Sequence, residues 1–113
     1  MSARKSAPAV DAVFAALADP YRRRAVEVLG EGPRQASELA RLLGLPAPAM
    51  SRHLKALKES GLVSDTHPDF DQRVRIYALN AGRLDELKTW LARAEAGWSN
   101  QLAAFKRHME KKR

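Results

Sequence analysis

The stretch of residues 35–63, QASELARLLGLPAPAMSRHLKALKESGLV, constrains the fold more than any other part of the sequence. Met50, Leu54 and Leu57 recur at spacings of four and three, which predicts an amphipathic helix with these side chains buried. Gly61 is the predicted stop signal, because glycine readily adopts the left-handed conformation that ends many helices. One face of this helix is therefore expected in the core and the other in solvent.

The outer face of this helix is cationic and rich in hydrogen-bonding groups. It carries Ser51, Arg52, Lys55 and Lys58, and no acidic residue interrupts it before Glu59. A short surface of this kind can enter the major groove of DNA, where side chains read the edges of the bases. The sequence therefore predicts a DNA-reading helix. The alternative for each basic side chain is a solvated charge without a partner.

A shorter supporting helix is predicted just before the reading helix, and it closes at Gly44. Residues 44–46 form a linker short enough to force a sharp angle between the two helices, as a helix-turn-helix requires. The residues of the supporting helix that are predicted to face inward are Ala36, Leu39, Ala40, Leu42 and Leu43.

Two more helices are predicted upstream of this pair. The first begins at Ala9, and the second runs from Pro20 to about Leu29 because Asp19 followed by Pro20 is a start signal. We interpret three consecutive arginines in the second helix as a solvated basic face with an occasional phosphate contact. These are Arg22, Arg23 and Arg24. The predicted inward-facing residues are Val10, Val13, Phe14 and Leu17 in the first helix, and Tyr21, Ala25, Val28 and Leu29 in the second.

A β-hairpin is predicted directly after the reading helix. Residues 62–66 and 74–79 have the extended pattern of short strands, with β-branched residues and, in the second, alternation. Turn-forming residues lie between them, and a hairpin in this position is a wing. We expect Arg73 and Arg75 in the wing to reach the DNA backbone or an adjacent minor groove, and His67 near its tip to be solvated.

An apolar stripe marks the last helix, which is predicted over about residues 82–110. Leu84, Leu91, Trp98 and Phe105 are each seven residues apart. A stripe this long exceeds what a small domain can cover, so the same helix of a second subunit is the expected cover. The alternative is that the helix packs on its own domain. The predicted dimer contacts are Val10, Phe14, Leu84, Leu87, Leu91, Trp98, Leu102 and Phe105.

The aromatic residues of the last helix allow a second interpretation. Trp90, Trp98 and Phe105 could line a small apolar pocket near the dimer seam, where an effector would shift the angle between the two reading helices. We favour plain dimer core, because aromatic residues at helical spacing need no ligand to explain them. Gly97 in the same helix predicts either a kink or the close approach of another group.

Composition narrows the class of partner. The 113 residues suit one domain, predicted over residues 9–113, after a disordered basic arm at 1–8 that could touch DNA. The net charge of +7, from 20 basic and 13 acidic residues, favours a polyanionic partner such as nucleic acid or an acidic membrane surface, and charge alone does not choose between them. The absence of cysteine excludes disulfides and thiolate metal sites. No apolar run is long enough for a signal peptide or a membrane span, so we expect a cytoplasmic location without membrane attachment.

Three segments, ALADPYRRRAVEVL, SRHLKALKESGLV and RVRIYAL, together resemble the ArsR/SmtB family of bacterial winged-helix repressors. The likeness begins at about residue 10. It implies a homodimer built on the first and last helices that binds an inverted repeat in double-stranded DNA and releases it when an effector arrives. The expected fold class is mainly α with a small β-hairpin (α+β), a winged helix-turn-helix of order ααααββα. The predicted DNA contacts are Ala47, Ser51, Arg52, His53, Lys55, Lys58, Arg73 and Arg75.

The sequence departs from the pattern of the family at two places. Members with this motif often carry Ser-Gln where Pro46 and Ala47 stand, so a helix cap and a base contact are expected to be missing. The metal sensors of the family place cysteines at positions that look like Gln35 and Ser37, and neither residue is a convincing ligand for a soft metal. We therefore expect no metal site and no cofactor, and we interpret His53 as a DNA-backbone or packing residue.

Two other classes of function compete with DNA binding. A winged helix that has lost DNA binding could serve as a protein-interaction module, and Pro46 and Ala47 give that interpretation some support. The cationic face of the reading helix argues against it, because protein-binding surfaces typically show aromatic or methionine anchors. An enzyme is not expected, since the sequence has no paired carboxylates, no phosphate-binding glycine loop and no nucleophile with a base at recognisable spacing.

Overall fold

The structure, a computed structural model, describes residues 8–71 and 73–111. The elements in this part of the chain are α1 (Pro8–Ala16), α2 (Pro20–Leu29), β1 (Arg34–Gln35), α3 (Ala36–Leu43), α4 (Ala47–Glu59), β2 (Val63–Thr66), β3 (Ile76–Leu79) and α5 (Ala81–Lys111). The predicted winged helix-turn-helix and its order of elements are confirmed, with β1 as an addition. The predicted basic arm, apart from Pro8 at the start of α1, lies outside the described residues.

β1 extends the predicted hairpin to a three-stranded antiparallel sheet of order β1-β3-β2. Arg34 pairs with Tyr77 and Gln35 pairs with Ile76, on the edge of β3 that β2 leaves open. A strand of two residues is too short to show an alternating pattern, so the sequence predicts no strand here and the structure corrects it. The sheet ties the start of α3 to the wing.

The junction between α1 and α2 is capped from both sides. The Asp19 carboxylate accepts hydrogen bonds from the backbone amides of Tyr21, at 2.8 Å, and Arg22, at 3.2 Å. The Arg22 guanidinium donates to the carbonyl oxygen of Ala16, and that of Arg23 donates to the carbonyl of Leu17 at 2.8 Å. Because the last carbonyls of a helix lack intrahelical partners, these two arginines stabilise the end of α1. Their interpretation as a solvated basic face is therefore corrected.

An apolar core forms where α3 and α4 meet α1, α2 and β2. Met50, Leu54 and Leu57 of α4 are buried as predicted, and Leu39 of α3 and Leu62 before β2 are buried with them. Truncating a buried leucine to alanine typically costs about 2–5 kcal/mol, so this cluster contributes much of the stability of a chain this small. Its burial also determines which side of α4 faces solvent.

Three residues that are predicted to face inward lie at the surface instead, and one of them, Phe14 of α1, is 40% exposed. Tyr21 is 46% exposed and Leu42 is 44% exposed. Tyr21 is in the first turn of α2 and Leu42 is in the last turn of α3, and together they border a shallow cavity of about 490 Å³. Helical spacing gives the face on which a residue lies, but it does not say how far along each helix the core extends.

α5 is the longest element, with 31 residues, which extend roughly 46 Å at 1.5 Å per residue. Leu84 and Leu87 in its first turns pack against the core of their own domain, and Trp90 packs edge-on against Phe14 of α1 with ring centroids 5.0 Å apart. The helix continues through Gly97, where an added Cβ would meet open space. Among the described helices, none combines the length and the apolarity that crossing a membrane demands.

Two glycines adopt the left-handed backbone conformation and should tolerate replacement to different degrees. At Gly44, with φ of 68°, an added Cβ would meet open space, whereas at Gly61, with φ of 84°, it would lie 2.5 Å from Nε of Arg83. We expect Gly44→Ala to lower the free energy of unfolding by roughly 1–2 kcal/mol through backbone strain alone. Gly61→Ala should lower it further, because the Arg83 side chain must also move. Urea unfolding measures both losses, and a smaller loss for Gly61→Ala would contradict this expectation.

Candidate nucleic-acid interface

The outer face of α4 is open to solvent along its length. Ser51, Arg52, Lys55 and Lys58 are all exposed, as their spacing predicts. Their orientation follows from the core, because the buried side chains on the opposite face fix the rotation of α4 about its own axis. We call these four residues together with Arg73 and Arg75 of the wing the reading surface.

The front of α4 lacks a side-chain cap. Pro46 occupies the N-cap position and makes no side-chain hydrogen bond there, and Ala47 follows it as an exposed residue of the first turn. A serine at the cap would accept a hydrogen bond from one of the first backbone amides of the helix. The structure therefore lacks this cap, as the sequence predicts, and Ala47 stays a predicted DNA contact that can offer only its methyl group.

A groove of about 380 Å³ joins α4 to the wing and to the start of α3. It brings together three predicted DNA contacts, Ser51, Arg73 and Arg75. Gln35 and Ser37 also line it, so the two positions that correspond to the cysteines of the family's metal sensors belong to the same polar surface here. Their place at the N-terminus of a helix, where backbone amides attract anions, is the sequence signal that could have identified them. The full lining is Gln35, Ala36, Ser37, Ser51, Arg73, Val74, Arg75 and Tyr77.

Asp65 in β2 connects the reading helix to the wing, although no pattern in the sequence distinguishes it from the other acidic residues of the hairpin. Its Oδ1 lies 2.8 Å from Nζ of Lys58, and its Oδ2 lies 2.6 Å from Nη1 of Arg75. The hydrogen bond from Lys58, followed by that from Arg75, holds the pKa of the Asp65 carboxyl below its usual value, although burial opposes this shift. Two of the five lysine and arginine side chains that are predicted to contact DNA are thus bound to one carboxylate.

The tip of the wing has polar contacts of its own. Asp71 accepts hydrogen bonds from the backbone amide of Arg73 at 3.0 Å and from its Nε at 3.3 Å, while the Arg73 side chain stays 92% exposed. His67 is exposed, but its Nδ1 donates to the carbonyl oxygen of Val74 at 3.1 Å, so the prediction of a merely solvated ring is corrected. Arg73 is therefore the wing cation that is more accessible to a ligand.

His53 lies beside the exposed face of α4 and is mostly covered. Its ring stacks on Tyr21 with centroids 5.8 Å apart, and its Nδ1 lies 4.0 Å from Oδ1 of Asp19. Partial burial opposes ionisation of Asp19, but the backbone amides of Arg22 and Tyr21 hold the pKa of this carboxyl below its usual value. His53 thus packs between α4 and the start of α2, and the alternative that it also contacts the DNA backbone stays a prediction.

Comparison with known sequences places these features in a family. Residues 17–66 match a family model described as a helix-turn-helix domain. The chain is 42% identical over 95 residues to the HTH-type transcriptional regulator Rv2034 of Mycobacterium tuberculosis. The aligned region covers 84% of this chain and 83% of that protein. It is 30% identical over 79 residues to the transcriptional repressor SdpR of Bacillus subtilis. That aligned region covers 70% of this chain and 84% of SdpR.

Solved structures agree with the sequence matches. The ArsR-like transcriptional regulator from Rhodococcus sp. RHA1 is 32% identical, with a TM-score of 0.73 over 91% of this chain and 94% of that chain. The chain belongs to the ArsR family. The homodimeric winged helix-turn-helix DNA-binding domain Mb0332 from Mycobacterium bovis, a possible ArsR-family transcriptional regulator, is 25% identical, with a TM-score of 0.62 over 88% of each chain.

As a member of the ArsR family, this protein regulates transcription by binding DNA and is not an enzyme. The family resemblance predicted from the sequence is confirmed. The individual DNA contacts stay predictions, as does the absence of a metal sensor. Among residues 8–71 and 73–111, no three histidine, aspartate or glutamate side chains lie close enough together to hold a metal ion.

The contacts of Asp65 generate a pH dependence of stability. A carboxyl whose pKa is lowered by folding stabilises the fold above its unfolded pKa, and this contribution is lost as the pH falls through the folded value. We expect the wild type to be more stable than Asp65→Asn at neutral pH, and the difference to shrink below about pH 4, the ordinary value for aspartate. Unfolding by urea from pH 7 to pH 3 measures it. Asp69→Asn, at an exposed wing residue, is the control, and a difference of equal size there would rule out a specific role for the Asp65 contacts.

Proposed function

We propose that this protein is a homodimeric repressor that binds an inverted-repeat operator through α4 and the wing of each subunit, and that it senses through neither a thiol nor a metal. The observation that carries the proposal is an uncovered apolar stripe on the far half of α5. Trp98, Leu102, Phe105 and Met109 are each more than half exposed, at 57%, 68%, 63% and 51%. Contiguous apolar surface of this kind on a single chain marks an interaction site.

A second copy of the chain is the simplest cover for this stripe. Leu91, Trp98 and Phe105 follow the seven-residue repeat that is typical of helices paired along their length. The homodimeric domain Mb0332, which shares the fold, supports the same assembly here. In a two-fold symmetric dimer, the two α4 helices would lie about one turn of DNA, or roughly 34 Å, apart. An operator with inverted half-sites follows from that symmetry.

The unpaired cations of α4 are the best candidates for DNA contacts. Arg52 and Lys55 are exposed and form no ion pair within residues 8–71 and 73–111, whereas Lys58, Arg73 and Arg75 each contact a carboxylate. A free cation can neutralise a DNA phosphate without first breaking a contact inside the protein. We assign Arg52 and Lys55, with Ser51 beside the groove, to the centre of the interface.

The proposal contains no sensor within the subunit. The sequence has no cysteine, and Gln35 and Ser37 stand where family metal sensors have their thiolates. A small apolar effector is also left out, because Trp90 already packs on Phe14 and the remaining aromatic residues of α5 would be covered in the dimer. The relative SdpR is named a transcriptional repressor, which supports repression as the direction of regulation.

Charge placed on the α5 stripe should separate the subunits. Leu102→Asp would bury a carboxylate in the dimer seam, so we expect a monomer in sedimentation velocity and about 100-fold weaker operator binding, because linkage of the two half-sites is lost. Ala103→Asp adds the same charge to α5 off the stripe and should leave the dimer intact. A wild-type protein that sediments as a monomer, or a Leu102→Asp variant that stays dimeric, would contradict the proposed assembly.

Selection of bound sequences from a random DNA pool should enrich a pseudo-palindrome with half-sites one turn apart. On that operator, Arg52→Ala should cost about 1–3 kcal/mol and relax the preference at one position if it touches a base, or lower the salt slope by about one if it touches a phosphate. Arg93→Ala, which removes an exposed cation from α5, is the control and should change neither quantity. A pool with no enriched palindrome would favour the protein-interaction module instead.

A further inference from the structure

Asp65 occupies a position between the two halves of the reading surface. Lys58, which binds its Oδ1, is in the last turn of α4, and Arg75, which binds its Oδ2, precedes β3 in the wing. The Asp65 side chain is only 8% exposed, whereas those of Lys58 and Arg75 are each 51% exposed. One nearly buried carboxylate therefore holds two cations at the surface, and each cation comes from a different DNA-binding element.

The strand register explains why Arg75 reaches this carboxylate. Asp65 pairs directly with Tyr77 across the hairpin, and Arg75 precedes Tyr77 by two residues. Residues two apart along a strand lie on the same face of a sheet, and Arg75, which directly precedes β3, contacts Asp65 from the position that a diagonal neighbour would hold if the strand were extended by one residue. Lys58 approaches the same face from α4. The three side chains thus form a bridge from the helix to the wing, in addition to the apolar core and the backbone hydrogen bonds of the sheet.

The charges of this bridge change what its cations can do. Hydrogen bonds between ionised groups at 2.6–2.8 Å are among the stronger polar contacts in proteins. The three groups together carry one positive charge, whereas the two cations alone would carry two. Lys58 and Arg75 can therefore neutralise fewer phosphates than their number indicates, and neither can turn fully toward DNA without leaving Asp65.

We propose that Asp65 is a positioning residue that fixes the wing against the reading helix through Lys58 and Arg75, and so favours the operator over other DNA. The inference rests on the proposed function. The bridge keeps α4 and the wing at one relative orientation, in which both fit the operator at once. It also withholds two cations from phosphate contacts, which are available on DNA of any sequence and carry no sequence information.

Replacing the carboxylate with its neutral isostere tests this role. Asp65→Asn should release Lys58 and Arg75, so binding to a scrambled duplex should become tighter and its salt dependence steeper, by up to about 0.9 in log–log slope per released cation. The ratio of operator to scrambled affinity should fall by roughly tenfold, the size of one mismatched base pair. The measurement is a binding titration of the full chain on both duplexes between 50 and 200 mM salt, concentrations over which phosphate contacts change affinity strongly.

Asp69→Asn is the matched control, because it removes the same charge from an exposed position in the same wing. If Asp65→Asn and Asp69→Asn behave alike, general electrostatics suffices and the positioning role is overturned. It is also overturned if Asp65→Asn weakens both duplexes by one factor with an unchanged salt slope, because that result indicates loss of structure alone. Circular dichroism of each variant gives the folded fraction by which the titrations are corrected.

Lys58→Gln provides a second test that does not leave Asp65 without a partner. A plain phosphate contact at Lys58 predicts an equal loss on both duplexes and a slope lower by about one. The positioning role predicts a larger loss on the operator than on the scrambled duplex, and an equal loss overturns it. If the wild type selects no operator, the proposed function fails, but the scrambled duplex still reports whether Asp65 restrains the two cations.

Discussion

The burial of one face of α4 is the constraint on which the rest of the structure depends. Met50, Leu54 and Leu57 are sealed against Leu39 and Leu62, and truncating any of these leucines would be expected to cost about 2–5 kcal/mol. Because helical residues are fixed at about 100° from one another, this burial alone turns the cationic side of α4 outward. The orientation of the reading helix is therefore a consequence of apolar packing, and no polar contact is needed to set it.

Polar contacts position α2 and the wing relative to α4. Asp19 caps α2 and also lies 4.0 Å from His53, so the same carboxylate starts one helix and contacts another. Asp65 does the equivalent for the wing, through Lys58 and Arg75. Such contacts are individually weaker than the core, but they are directional. They restrict the angles that α2 and the wing make with α4, whereas apolar packing mainly keeps these elements in contact.

The parts of the fold that the sequence predicts are those decided by local patterns. The start of α2 at Pro20 and the left-handed glycines at Gly44 and Gly61 follow from chemistry within a few residues, and so does the buried face of α4. Features that depend on the angle between elements leave no local pattern. The two-residue β1, the arginines that cap α1 and the Asp65 bridge each join residues whose proximity only the assembled fold creates. For the same reason, two acidic residues of one wing, Asp65 and Asp69, look alike in sequence.

The far half of α5 governs the geometry between subunits, whereas the rest of the fold governs the geometry within one. Within a subunit, the core fixes α4 and the Asp65 bridge fixes the wing, so the reading surface behaves as one unit. Leu84 and Leu87 attach α5 to that unit, whereas the stripe from Leu91 onward has no cover within the described residues. In the proposed dimer, the distance between the two reading helices is therefore set at the seam formed by α5 together with the predicted contacts of α1, Val10 and Phe14. Any signal that alters operator binding without entering the reading surface would have to act there, because a seam of side chains can shift while a packed core resists deformation.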